Sequence, residues 1–104
     1  MNESKNHEVT IRHELGDLVP AFLVNRRQEV AALEAAIGTS DLNELRRIAG
    51  MMKAVGESFG IPRIGELGAE IEEAAERGDF DAVAVYASLY RHYLERLRIR
   101  VEPE

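Results

Sequence analysis

Apolar residues recur every three to four positions along almost the whole chain, the spacing of amphipathic helices rather than the alternation of half-buried strands. Val19, Phe22, Leu23, Val30, Leu33 and Ile37 form the first stripe, over residues 17–37, with Arg26 its one charged member. Asp17 is placed to cap this helix, and Pro20 is compatible because it falls within the first turn, where a missing N–H costs no hydrogen bond. Gly38 ends the segment and Thr39-Ser40-Asp41 opens the next. Over residues 42–59 the stripe is Leu42, Leu45, Ala49, Met52, Val55 and Phe59, stopped by Gly60. Pro62 then starts a third helix carrying Ile64, Leu67, Gly68, Ile71, Ala74 and Ala75, which ends at Gly78. Asp79 caps a fourth, where Val83, Ala87, Tyr90, Leu94, Leu97 and Val101 follow helical spacing, with Pro103 just beyond.

Four such segments joined by loops of a few residues predict an all-α fold, an up-down antiparallel four-helix bundle over residues 14–102. Residues 1–13 are polar and unperiodic, and read as a flexible lead-in.

Composition narrows the classes of function. The chain has 104 residues, 45% hydrophobic and 31% charged, which suits one folded domain. No apolar run approaches the ~20 residues of a membrane span, and no basic-then-apolar leader opens the chain, so the expectation is a cytoplasmic domain without membrane insertion. With no cysteine there is no disulfide framework and no thiolate metal ligand. A net charge of -6 opposes nucleic-acid binding. Arg91, Arg96, Arg98 and Arg100 do crowd the end of the last segment, but cations there complement the helix dipole and need no nucleic acid to explain them. Asn2-Glu3-Ser4 matches a glycosylation acceptor by chance.

Two chemical motifs fail on physical grounds. Gly56-Glu57-Ser58-Phe59-Gly60 fits the G-x-S-x-G pattern of a hydrolase elbow, with Asp79 or Asp81 and then His92 in the expected order. That elbow requires a strand-to-helix turn above a sheet, whereas here the motif ends a helix. A di-metal site in a helical bundle needs Glu-x-x-His pairs, and none exists. Glu66, Glu70 and Glu73 share a face, which a solvated acidic stripe explains. His7, His13 and His92 have no partners at metal-ligand spacing and read as surface histidines. No cofactor is implied.

The stretch Leu45-Arg46-Arg47-Ile48-Ala49-Gly50-Met51-Met52-Lys53-Ala54-Val55-Gly56-Glu57-Ser58-Phe59-Gly60 resembles the signature of histidine-phosphotransfer domains. These four-helix modules relay a phosphoryl group between response-regulator receiver domains. In that family a helix carries a histidine, a lysine three residues later and a glycine four later, with a further glycine closing the helix. Lys53 and Gly60 match. Ile61-Pro62-Arg63-Ile64-Gly65-Glu66-Leu67-Gly68 and Ile71-Glu72-Glu73-Ala74-Ala75 resemble the family's third helix, and residues 18–27 the opening helix of one branch. The likeness covers roughly residues 10 to 101.

The resemblance places the phosphoacceptor histidine at position 50, which is Gly50 here, and the family's following glycine at Ala54. A phosphohistidine forms through a nucleophilic imidazole nitrogen, which glycine lacks. Arg46, Gly50, Lys53, Ala54 and Glu57 share the face opposite the apolar stripe, and with Arg47 form the expected receiver-docking face. Arg46, Arg47 and Lys53 would give it a positive surface suited to a phosphorylated or acidic partner. His92 falls off the core stripe and is followed by Glu95 rather than a lysine, so it does not inherit the acceptor role. Three readings follow. The first is a degenerate signalling module of a two-component phosphorelay, docking to a receiver domain or sensor kinase without exchanging phosphate. The second is a genuine phosphotransfer protein in which Gly50 replaces histidine, and the third a self-associating structural bundle. An apolar patch beside Gly50 favours docking, and one on the outer helices favours self-assembly.

Overall fold

Apart from Leu97 and Val101, which lie on a strand, the predicted stripes become the inward faces of four helices in the computed structural model, which describes residues 7–104. Residues 1–6, including the Asn2-Glu3-Ser4 match, lie outside the described residues. The helices are α1 (Val19–Gly38), α2 (Leu42–Phe59), α3 (Pro62–Glu76) and α4 (Phe80–Arg96), preceded by a short 3-10 segment (His13–Leu18). Their ends follow local chemistry. The Asp41 carboxylate accepts the Glu44 N–H at 3.1 Å and that of Asp79 accepts the Ala82 N–H at 3.0 Å, each satisfying an orphan donor of a first turn. Gly60 (φ 70°) and Gly78 (φ 73°) take the left-handed conformation that reverses the chain after α2 and α3. Asp17 does not cap α1. It lies inside the 3-10 segment, which runs directly into the helix at Leu18.

Leu33, Leu45, Ala49, Met52, Ile64, Leu67, Ile71, Ala74, Val83 and Tyr90 have no exposed surface and form the centre of the core. The closest approach is between α2 and α3. A Cβ built on Gly56 would stand 2.5 Å from the Gly65 backbone nitrogen, and one on Gly68 would stand 2.8 Å from the Ala49 carbonyl oxygen. Glycine at these two positions lets the backbones touch.

The four-helix bundle stands, and a strand pair joins its ends where residues 7–11 fall within the expected flexible lead-in. His7–Ile11 is a strand, β1, which pairs in parallel with β2 (Leu97–Val101), His7 opposite Leu97 and Ile11 opposite Val101. Ile11 is buried, and the ladder continues as the Glu102 N–H donates to the Ile11 carbonyl at 2.9 Å. The fourth helix stops at Arg96 instead of reaching Val101, because Leu97 turns extended (φ -70°, ψ 130°). Arg98 and Arg100 therefore sit on a strand and play no part at a helix terminus. The physical reason is visible in retrospect: Leu97, Ile99 and Val101 alternate with Arg98 and Arg100, and this period of two coexists with the helical spacing of Leu94, Leu97 and Val101. A partner strand some ninety residues away decides between them.

Candidate functional site

Gly50 lies in the interior of α2 on its outer surface, and a Cβ built there meets nothing within 4 Å. Close packing therefore does not require this glycine. Arg46, Arg47, Lys53, Ala54 and Glu57 are exposed with it, so the helical spacing brings the expected face together.

Its charge is not what the residues in isolation suggest. Arg46 donates to Glu76 of α3 through Nε at 2.7 Å and Nη2 at 3.2 Å. Lys53 Nζ donates to Glu72 of α3 at 2.6 Å. Arg47 donates to Glu44 through Nε at 2.9 Å and Nη2 at 2.6 Å, and its Nη1 reaches Met51 Sδ at 3.2 Å. The expected positive surface is thus a set of paired charges flanking Gly50. The hydrogen bond from Arg46 holds the Glu76 carboxyl below the usual range, and that from Arg47 does the same for Glu44. The two guanidiniums are raised in turn by the same contacts.

Met51, the neighbour of Gly50, is an exposed large apolar side chain, and a groove of about 340 Å³ runs from it between α1 and α2 past Asn25, Gln28, Ala32 and Arg47. The face therefore has an apolar element beside the glycine. Val85 and Leu89 are exposed on α4 as well.

The remaining candidates separate. Gly56-Glu57-Ser58-Phe59-Gly60 closes α2, with Ser58 Oγ donating to the Ala54 carbonyl at 3.0 Å, and forms no strand-to-helix elbow. His92 is exposed, and His13 Nδ1 lies 3.3 Å from the Glu102 carbonyl oxygen. His7, expected in the lead-in, is stacked on Tyr93 with ring centroids 4.9 Å apart. Glu66 pairs with Arg63 at 3.4 Å and Glu73 with Arg77 at 3.8 Å, leaving Glu70 exposed. Among the described residues no three His, Asp or Glu side chains converge as a metal site requires.

Two features escaped the sequence reading. Glu72 and Glu76 complete the Gly50 face, and their i, i+4 spacing on an antiparallel neighbour was the available signal. Arg26 stood out as a charge on an apolar stripe, but its partners did not. It donates to both oxygens of the buried Glu29, from Nε at 2.8 Å and from Nη2 at 3.0 Å, and the Tyr90 hydroxyl of α4 donates to Glu29 Oε1 at 2.7 Å.

Compared with known proteins, residues 17–100 match the model of the Hpt domain family. Neither the search of curated proteins nor that of solved structures returned a match.

Proposed function

The chain belongs to the Hpt domain family and is a phosphorelay signalling module, and we propose that it docks receiver domains through the outer face of α2 without itself accepting phosphate. The observation that carries this reading is Gly50. It stands where the family resemblance puts the acceptor histidine, is exposed mid-helix, and offers no nucleophile. Met51 beside it and the paired cations Arg46 and Lys53 supply apolar contact and charge that an acidic partner can engage by exchange with Glu76 and Glu72. Hpt domains are carriers rather than classical enzymes, so a member without the acceptor keeps the docking half of the task.

A second reading, a phosphotransfer protein with Gly50 in place of histidine, is favoured by one observation: a Cβ at Gly50 meets nothing within 4 Å, so a side chain can start there. One experiment tests both. Incubated with a phosphorylated receiver, the protein binds but takes up no acid-labile phosphate. Gly50→His takes up a little, and Gly50→His with Ala54→Gly takes up more, because the Ala54 methyl one turn away crowds the imidazole. Labelling of the unaltered protein at His7, His13 or His92 overturns the docking-only reading. If both variants fold and bind a receiver yet neither is labelled, this face is not a lapsed acceptor site.

A further inference from the structure

Away from the Gly50 face, a groove of about 340 Å³ is lined by His7 of β1, Arg63 of α3, and Leu89, His92, Tyr93 and Arg96 of α4. Among the described residues no carboxylate lines it, although the chain carries 19 acidic against 13 basic residues. The larger α1–α4 groove, about 480 Å³, also gathers arginines, but Glu95 stands among them. The cations here are also less engaged than those of the Gly50 face and Arg91. Arg46, Arg47, Lys53 and Arg91 each hold a carboxylate at 2.6–2.7 Å, whereas Arg63 meets Glu66 through a single contact at 3.4 Å. Arg96 has no ion pair among the described residues. The floor is packed: Tyr93 is buried and the His7 ring lies stacked on it, tilted by 28°. Burial pushes the Tyr93 phenol up, so its hydroxyl stays protonated at neutral pH.

We infer that this groove binds a phosphate monoester carrying an apolar or planar body. The dianionic head suits the two guanidiniums, which present forked N–H donors to phosphate oxygens, with His92 as a further donor. Leu89, 42% exposed, and the His7–Tyr93 stack form an apolar platform that inorganic phosphate would leave empty. A single compact groove on a chain of net charge -6 does not extend along a polymer backbone, which separates this ligand from nucleic acid. The head group is the same whether it comes from a free small molecule or a phosphorylated side chain.

The test is a titration of the isotope-labelled full chain with phenyl phosphate at neutral pH and low salt, followed by amide NMR. Saturable shifts are expected at Arg63, Leu89, His92, Tyr93 and Arg96. Arg63→Gln with Arg96→Gln lowers affinity about tenfold or more, Glu66→Gln raises it several-fold by releasing Arg63, and Arg27→Gln on the α1–α4 groove leaves it unchanged. Phenol and inorganic phosphate each bind about tenfold more weakly, since each lacks one half of the recognised chemistry. Tighter binding of the pentapeptide Ala-Ala-phosphotyrosine-Ala-Ala than of phenyl phosphate assigns a protein-borne source, and equal binding a free one. Shifts spread over all arginines, or an equal loss in Arg27→Gln, would show only general attraction of anions and overturn the inference.

Discussion

The α2–α3 and α1–α4 pairs solve the same packing problem in opposite ways. Between α2 and α3, Gly56 and Gly68 let backbone meet backbone, and every charge is expelled to the rim, where Arg46–Glu76 and Lys53–Glu72 bridge the helices in contact with solvent. On the α1 face a buried ion pair, Arg26–Glu29, is tied to α4 by the Tyr90 hydroxyl, with the Arg26 guanidinium 4.9 Å from the centre of the Phe22 ring. Charges in the two regions are of the same kind and their distances nearly equal. Burial is what differs, and it decides what each charge does: a buried pair must be complete or it is a severe cost, whereas a rim pair contributes little and can be broken cheaply.

The largest effect is expected from breaking the buried cluster. Glu29→Ala leaves the Arg26 guanidinium, 4% exposed, without its counter-charge, and the cost should be about 3–5 kcal/mol in chemical denaturation. Replacing the whole cluster with apolar side chains, Arg26→Met and Glu29→Leu together with Tyr90→Phe so that no buried hydroxyl is orphaned, should recover most of that loss, since the penalty belongs to unpaired polar groups and not to missing attraction. If Glu29→Ala costs no more than an exposed substitution, water reaches the pair and the contrast with the rim collapses.

Tyr90→Phe isolates the bridge to α4. Its hydroxyl donates to an ionised acceptor, so its loss should cost about 1.5–3 kcal/mol. The same residue sets a pH signature. Burial and the neighbouring Glu29 push the Tyr90 phenol far above its ordinary value of 10.0. The folded state therefore keeps a proton that the unfolded chain releases above that value, so this stability is complete below pH ~10 and declines as pH rises further. In Tyr90→Phe the alkaline decline should be shallower. An unchanged slope would assign it to other groups.

Glycine substitutions test the α2–α3 side, and here the sign is diagnostic. Gly56→Ala drives a methyl into the Gly65 backbone, which no side-chain rotation can relieve, and should destabilise by about 1–3 kcal/mol despite the better helix propensity of alanine. Gly50→Ala, six residues away on the same helix, adds its methyl to open space and should stabilise by up to about 1 kcal/mol. Destabilisation by both would mean that Gly50 serves packing after all.

These sites also mark how far the sequence could be read. The four helices, their glycine stops, the opening of α2 at Asp41 and the Asp79 cap were legible because each rests on residues within one turn of one another, although the same signal misplaced a cap at Asp17. The outer face around Gly50 followed from helical spacing alone. What escaped was non-local. The β1–β2 ladder joins His7–Ile11 to Leu97–Val101, and neither five-residue segment carries enough pattern to declare itself without the other. The Glu29–Tyr90 bond spans 61 residues in sequence. Likewise, Arg46 and Lys53 looked like free cations because the acids that neutralise them belong to the next helix.

The smallest stability effect, and the most informative for function, is expected at that rim. Glu72→Gln with Glu76→Gln frees Lys53 and Arg46 from α3 and should lower the melting temperature by less than Gly56→Ala does, with the difference vanishing in about 1 M salt, where such pairs are screened. The sign with pH is set by Glu76, whose carboxyl Arg46 holds below its ordinary value. Its contribution is present above the unfolded carboxyl range and fades as pH falls through the lowered folded value, so the variant and the unaltered protein should converge in acid. Receiver binding should move the other way. With the internal acids neutralised, Arg46 and Lys53 become available to an acidic partner, and affinity should rise several-fold, mainly through a faster, salt-sensitive association rate. Weaker binding in the double variant would mean that Glu72 and Glu76 themselves meet the partner, and the docking surface would then lie across α2 and α3 together, with the acids rather than the cations as its reading head.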